Sequence, residues 1–348
     1  MKRGGTRIDS PPLVNVKSAA ETECAKNHDP SRNVPFSFRM ISCGPEVAPV
    51  RMATALACGL ISALASRPCA AAPGGAAVWD ARAIATAAVA PMWRVLNLSR
   101  DISRFILVDV APAVGSASPT FHIPGRAGYY SVQWYDADGD RTLSRGDGLD
   151  LDFSGCAPAR EPDWDGVVRA PDLGVGPARL WMPFFYADLR RDGTRGAQYG
   201  EGIDERERMV GSLAITWSNP PGGESLSVYQ GASGFSLDAS SGGTFLRRIA
   251  LTFSCPQRGD FQARLDGEIY DRRFGQLTLV TSQPFKGPCD GAPGSAASGV
   301  ATVLRALGGS VAVRMTAPGL AVLEVDVNGD GQIDQRLQTN WAALTEQR

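Results

Sequence analysis

Carboxylates spaced two residues apart are the feature of this chain best suited to chemistry, and they occur in two loops. The first is DADGDRTLSRGD, residues 136–147, with Asp136, Asp138 and Asp140 at loop positions 1, 3 and 5 and Asp147 at position 12. Calcium takes six to eight hard oxygen ligands, and alternating carboxylates in a tight loop bring several of them around one point. Thr142 offers a carbonyl at position 7, and Leu143 is an apolar anchor at position 8. Two departures from the usual calcium loop stand out: position 6 is Arg141 instead of glycine, and Asp147 reaches less far than a glutamate. The second loop is DVNGDGQIDQRL, residues 326–337, with Asp326, Asn328 and Asp330 at positions 1, 3 and 5, Gly331 at 6 and Asp334 at 9. Its position 12 is Leu337, so bidentate closure is missing. Strands lead into both loops in place of helices. Each loop therefore has two readings, a structural calcium site or an Asx-rich turn whose carboxylates cap backbone amides.

Other chemistry is thinly supplied. The chain has two histidines, His28 and His122, which excludes a site built on several imidazoles. His122 sits in a loop rich in Pro and Gly, with no nucleophile elbow nearby, so a surface role is expected. The acids of EGIDERER (201–208), namely Glu201, Asp204, Glu205 and Glu207, are the only cluster suited to a paired-carboxylate glycosidase. With Arg206 and Arg208 interleaved, the segment reads better as a solvated, mixed-charge turn or edge strand. Trp134 and Tyr135 adjoin the first acidic loop and offer a sugar-stacking surface, or else core aromatics. No phosphate loop, dinucleotide fingerprint or HExxH motif is present. The formal net charge is −1, and after residue 72 acids exceed bases by roughly five, so a basic field for nucleic acid is lacking.

The N-terminal region reads as an address. Residues 53–65, ATALACGLISALA, form an apolar run followed by SRPCAAAPGG, the pattern of a secretory signal peptide over 52–72. It falls short of the roughly 20 residues that a membrane-spanning helix needs, and no transmembrane span is expected. Residues 1–51 lack periodicity and are expected to be a disordered or over-extended leader. Beyond the leader the cysteines are Cys156, Cys255 and Cys289, enough for one disulfide and one spare thiol in an oxidising compartment. The expected location is periplasmic or secreted.

The acidic loops need strands to hold them, and the sequence supplies strands. Frequent Gly (39) and Pro (24) favour short elements joined by turns. Residues 73–120 are expected to hold one or two short helices and a linker, with Pro91 breaking or kinking any longer helix. From 121 to 348 come β-rich runs such as SVQWY, RLWMPFFYADL, TFLRRIALTFSC and AVLEVDV. SNPPGGES, GASG and SSGG between them read as turns. No helical crossover intervenes, so the fold class is mainly β, an antiparallel meander. A half-barrel, an open sheet or a sandwich would each fit, with a division near 284–298 left open.

Three segments together resemble a loose group of uncharacterised exported proteins of proteobacteria. These are SVQWYDADGDRTLSRGDGLDLDFSGC (131–156), the hairpin-like 209–282, and VLEVDVNGDGQIDQRLQTNWAAL (322–344). In that group a cysteine often precedes the first segment. FHIPGRAGYY (121–130) lacks it, which leaves Cys156 without an obvious mate. The resemblance implies export and a β-rich fold and brings no settled activity. The expected function is a non-enzymatic binding or scaffold module with structural calcium-type loops, whose partners are envelope components or glycans. The alternative is a carbohydrate-active protein, either a sugar-binding module or a glycoside hydrolase.

Overall fold

The computed structural model describes residues 80–114, 118–124, 129–153, 165–191, 207–239, 242–257, 259–289 and 296–345. The leader, the signal segment and Cys156 lie outside these. Helix α1 (Ala81–Phe105) opens at Asp80, whose Oδ1 accepts the Ala83 N–H at 2.9 Å and satisfies an orphan donor of the first turn. It continues through a π-helical turn (Ile106–Val110) into α2 (Ala111–Val114). Pro91 lies inside α1, so the expected break does not occur. A proline inside a helix costs about 3 kcal/mol, and here the packing around it more than offsets that loss.

That packing comes from one antiparallel sheet whose strands follow chain order from end to end. Its first half is β1 (Thr120–Pro124), β2 (Tyr129–Tyr135), β3 (Asp147–Asp152), β4 (Asp165–Gly176), β5 (Arg179–Arg191), β6 (Glu207–Ser218) and β7 (Gly223–Ala239). The second half is β8 (Gly242–Pro256), β9 (Asp260–Asp271), β10 (Gly275–Pro288), β11 (Ser298–Arg305), β12 (Ser310–Ala317), β13 (Leu320–Asp326) and β14 (Gln335–Asn340). A short helix, α3 (Trp341–Thr345), closes the described chain. The mainly β meander is therefore present, as one continuous sheet with β1 and β14 at its edges. Around 284–298, where the sequence leaves a division open, β10 pairs directly with β11.

Alternation decides which side faces inward. In β9, Phe261, Ala263, Leu265, Gly267 and Ile269 are buried, while Gln262, Arg264, Asp266 and Glu268 point away. The apolar face needs a cover, and α1 provides it. Seven successive residues, Ala87 to Trp93, are all buried. That stretch spans about two helical turns and points in every direction, so the sheet surrounds the helix. Consistently, α1 contacts every strand from β6 to β13. Alanines at 85, 87, 88 and 90 keep the helix thin enough for this approach. Midway along α1, Trp93 meets Trp341 of α3 edge-on at 5.4 Å, and Trp341 lies 4.6 Å from Phe285. At the C-terminal end of α1, Phe105, Tyr130 and Phe153 form a triangle with centroids 4.9–5.9 Å apart. No helix among the described residues is long and apolar enough to cross a membrane. On the outward side of β9, Arg264, Asp266 and Glu268 are charged.

A row of bulges bends the sheet around α1. Register slips fall at Met182/Phe185 in β5, Gly211/Leu213 in β6, Tyr229/Phe235 in β7, Arg247/Ala250 in β8 and Leu279/Phe285 in β10. Extra residues in one strand bend it and increase its twist. GASG (231–234), expected as a turn, is such an insertion inside β7. Hydroxyls replace the lost ladder partners. Ser212 Oγ accepts from Ser233 N at 2.9 Å, and Thr281 Oγ1 accepts from Leu265 N at 2.9 Å while donating to Leu265 O at 3.0 Å.

Two glycines on this bend give opposite predictions. A Cβ at Gly211 (φ 153°) would fall 2.4 Å from the Gly234 carbonyl oxygen and 2.7 Å from Phe235 Cα, atoms fixed by the sheet. A Cβ at Gly267 would chiefly meet the Met92 terminal methyl, at 2.5 Å, which can swing aside. Urea unfolding should therefore show Gly211→Ala losing about 3 kcal/mol and Gly267→Ala losing under about 1.5 kcal/mol. Equal losses would contradict the packing described.

Candidate metal centre

The β2–β3 connection contains the first acidic loop, and its own backbone organises the carboxylates. Asp136 accepts Gly139 N at 2.7 Å on Oδ1 and Arg141 N at 3.1 Å on Oδ2. Those donors can converge because Gly139 and Arg141 both have positive φ, 78° and 60°. Arg141 thus adopts the left-handed conformation that glycine would take more readily. Asp147, fully buried at the start of β3, ties both ends of the loop together. Its Oδ1 accepts Ala137 N at 2.8 Å and its Oδ2 accepts Ser144 N at 2.7 Å. Leu143 is buried beneath the loop, as expected of its anchor position.

The outcome is a convergent set of hard oxygens. One carboxylate oxygen each from Asp136, Asp138 and Asp147 lie within 4.8 Å of one another. Asp138 is steadied by the Ser144 hydroxyl, which donates to its Oδ2 at 3.1 Å. Asp140 stands apart from this group. Its Oδ1 accepts both the N–H and the hydroxyl of Thr142 at 2.7 Å, and those bonds hold its carboxyl below the usual carboxylate range. Among the described residues, no arginine or lysine forms an ion pair with Asp136, Asp138 or Asp147. Their charge is countered by backbone and side-chain hydrogen-bond donors alone. An all-oxygen set with lone pairs to spare, and no nitrogen or sulfur ligand, suits a hard cation.

The second acidic loop, between β13 and β14, repeats the hydrogen-bond plan but not the convergence. Asp326 accepts Gly329 N at 2.7 Å and Gly331 N at 2.9 Å, again from residues with positive φ. Asp334 takes the place that Asp147 holds in the first loop, accepting Val327 N at 2.7 Å. Asn328 and Asp330 bond to each other and to Asp330 N and Gln332 N. Ile333, in the anchor position, is 45% exposed. Among the described residues, only the first loop gathers three carboxylates. Asp326, Asn328, Asp330 and Asp334 are arranged as caps of an Asx-rich turn.

The remaining sequence candidates fare unevenly. Trp134 is 5% exposed and its Nε1 donates to Ser118 O at 3.3 Å, so it belongs to the core and offers no sugar platform; Tyr135 is 50% exposed. His122 is exposed on edge strand β1. Glu201, Asp204 and Glu205 lie outside the described residues, as does the Glu207 side chain. Arg208 makes a bidentate pair with Asp188 at 3.0 and 2.9 Å, on β6, which is an interior strand paired with β5 and β7. Cys255 and Cys289 form a disulfide that links the end of β8 to the end of β10. Searches of family models, curated proteins and solved structures found no match for this chain.

Sequence reading missed a second charged group, inside the fold. Glu224, in the SNPPGGES segment read as a turn, is 6% exposed. It accepts Arg100 Nε and Nη2 (2.9 and 2.6 Å), Arg104 Nη2 (2.6 Å) and Trp217 Nε1 (2.8 Å). Arg100 also lies 4.6 Å over the Phe253 ring. The available signal was the i, i+4 spacing of Arg100 and Arg104, which puts both on one face of a helix. These hydrogen bonds and cations hold the Glu224 carboxyl below its usual range although burial opposes them.

Asp101, beside this group, is pushed up to about 6 by burial, with Arg100 and Arg104 opposing. Between about pH 4 and 6 folded Asp101 keeps its proton while the unfolded chain has lost it, so its contribution to stability falls as pH rises through that window. Asp101→Asn should therefore add about 2 kcal/mol at pH 8 and almost nothing at pH 4, by chemical denaturation at each pH. A gain independent of pH would contradict this assignment.

Proposed function

We propose that this chain is an exported, non-enzymatic, β-rich module of the cell envelope or extracellular space, held in shape at its first acidic loop by calcium and acting through its surface as a binding or scaffold element. The observation that carries the metal part is the convergence of Asp136, Asp138 and Asp147 oxygens within 4.8 Å, with Asp147 buried at the base. A cation there would be held by those carboxylates and would neutralise like charges otherwise countered only by hydrogen bonds. Calcium is the best fit because the loop supplies alternating hard oxygens from a backbone that can adjust to a high coordination number. Such an ion stabilises by binding the folded state alone. Export is supported by the apolar run at 53–65 with its small-residue flank, by the resemblance to exported proteins, and by the Cys255–Cys289 disulfide, since such bonds persist in oxidising compartments.

Thermal melting in millimolar calcium, in excess EDTA and in magnesium tests the metal part. Calcium should raise the midpoint by several degrees, magnesium by less, and Asp138→Ala should abolish the gain. Asp330→Ala in the second loop should leave it intact. Identical midpoints in calcium and EDTA would remove calcium from this account.

A further inference from the structure

Outward from the bend, β8 and β9 carry an exposed surface of a different kind. Phe245 and Tyr270 are direct cross-strand partners, with ring centroids 6.3 Å apart. Arg247, two residues along on the same face, places its guanidinium 5.6 Å from the Phe245 ring and 5.9 Å from the Tyr270 ring. Phe245 lies across Gly234 of β7 so closely that a Cβ there would fall 2.1 Å from the ring. The ring is therefore seated against the sheet, yet it stays 36% exposed. In the adjoining β9–β10 turn, Arg273 sits 5.0 Å over the Phe274 ring.

The charges on this face do not balance. Glu268 is engaged by Arg248 at 2.7 Å and Asp271 by Arg273 at 3.4 Å. Arg247 and Arg272 have no carboxylate partner among the described residues. Arg247 therefore lies against both rings without a carboxylate partner among the described residues, and Arg272 is exposed in the adjoining turn.

We propose that this face binds an acidic polysaccharide. The rings would stack against pyranose faces and the two guanidiniums would each take a carboxylate or similar anionic substituent through forked hydrogen bonds. Other polyanions suit it less well. Nucleic acid is held by a groove of positive charge that follows the phosphates, and anionic membranes attract clusters of four to eight basic residues. Here the cations that lack a carboxylate partner among the described residues are few and accompany stacking surface, which suits a ligand with intermittent charge and flat apolar ring faces. The inference rests on the binding-module reading and names its ligand class; it does not depend on metal at the first loop.

The test is affinity of the full chain for soluble oligogalacturonate, neutral dextran, single-stranded DNA and anionic phospholipid vesicles, measured in EDTA at physiological salt. The expected result is binding of oligogalacturonate above the other three, weakened at least about tenfold in the Arg247→Gln/Arg272→Gln double variant, with an unchanged melting midpoint. Tyr270→Ala should weaken it as well, which a purely ionic contact would not show. No binding of oligogalacturonate, equal binding by the double variant, or tighter binding of DNA or vesicles would each overturn the proposal. Calcium melting separates the readings: a calcium-dependent midpoint without glycan binding sinks this proposal alone, and the converse sinks only the metal site.

Discussion

A single sheet with one apolar face has nothing of its own to bury that face against, and the rest of this structure follows from how that problem is solved. A sandwich would fold a second sheet onto the first. Here the chain places one helix in the concavity and curls the sheet around it. The helix must then be apolar on every side through its middle, as Ala87 to Trp93 are, and thin enough for opposing strands to approach. A proline at position 91 survives because the surrounding sheet, more than the helix's own hydrogen bonds, holds it in place.

Curling demands bends, and a buried apolar helix in an apolar trough would be free to slide or rotate. The bulge row from β5 to β10 meets the first demand. The Glu224 group meets the second, because a buried carboxylate bonded to Arg100, Arg104 and Trp217 has few satisfactory positions. Replacing such a cluster with apolar residues is often neutral for stability, whereas removing one member leaves a buried charge unmatched. It ties the helix to Glu224 of β7, which also accepts from Trp217 of β6. The hairpins of the resulting scaffold carry the side chains with chemical potential, the β2–β3 loop foremost.

The sequence disclosed the parts that depend on local rules. Alternation and turn chemistry located most strands, and the spacing of Asp136, Asp138 and Asp147 marked the cluster that the structure brings together. Three strands escaped notice for physical reasons. β1 and β14 are edge strands with polar or loop-like composition, and β4 (DGVVRAPDLGVG) contains a proline and glycines that its bulges absorb. GASG and Pro91 misled in the same way, as local breakers overridden by tertiary context. Asp140 seemed equivalent to its neighbours because spacing says nothing of a competing bond, and Thr142 supplies one. The second loop has Gly331 where the first has Arg141, yet it is the less convergent, since Asp334 closes it early and Ile333 has no core to enter.

The central functional claim is that the first acidic loop, and not the second, holds a hard cation. Terbium, which takes the same oxygen ligands as calcium, reports this directly, because Trp134 lies two residues from Asp136 and can sensitise its emission. The account predicts tryptophan-sensitised terbium luminescence from the purified chain that calcium displaces, that Asp138→Asn abolishes, and that Asp330→Asn leaves unchanged. Emission that persists in Asp138→Asn and disappears in Asp330→Asn, or no emission at all, would contradict it.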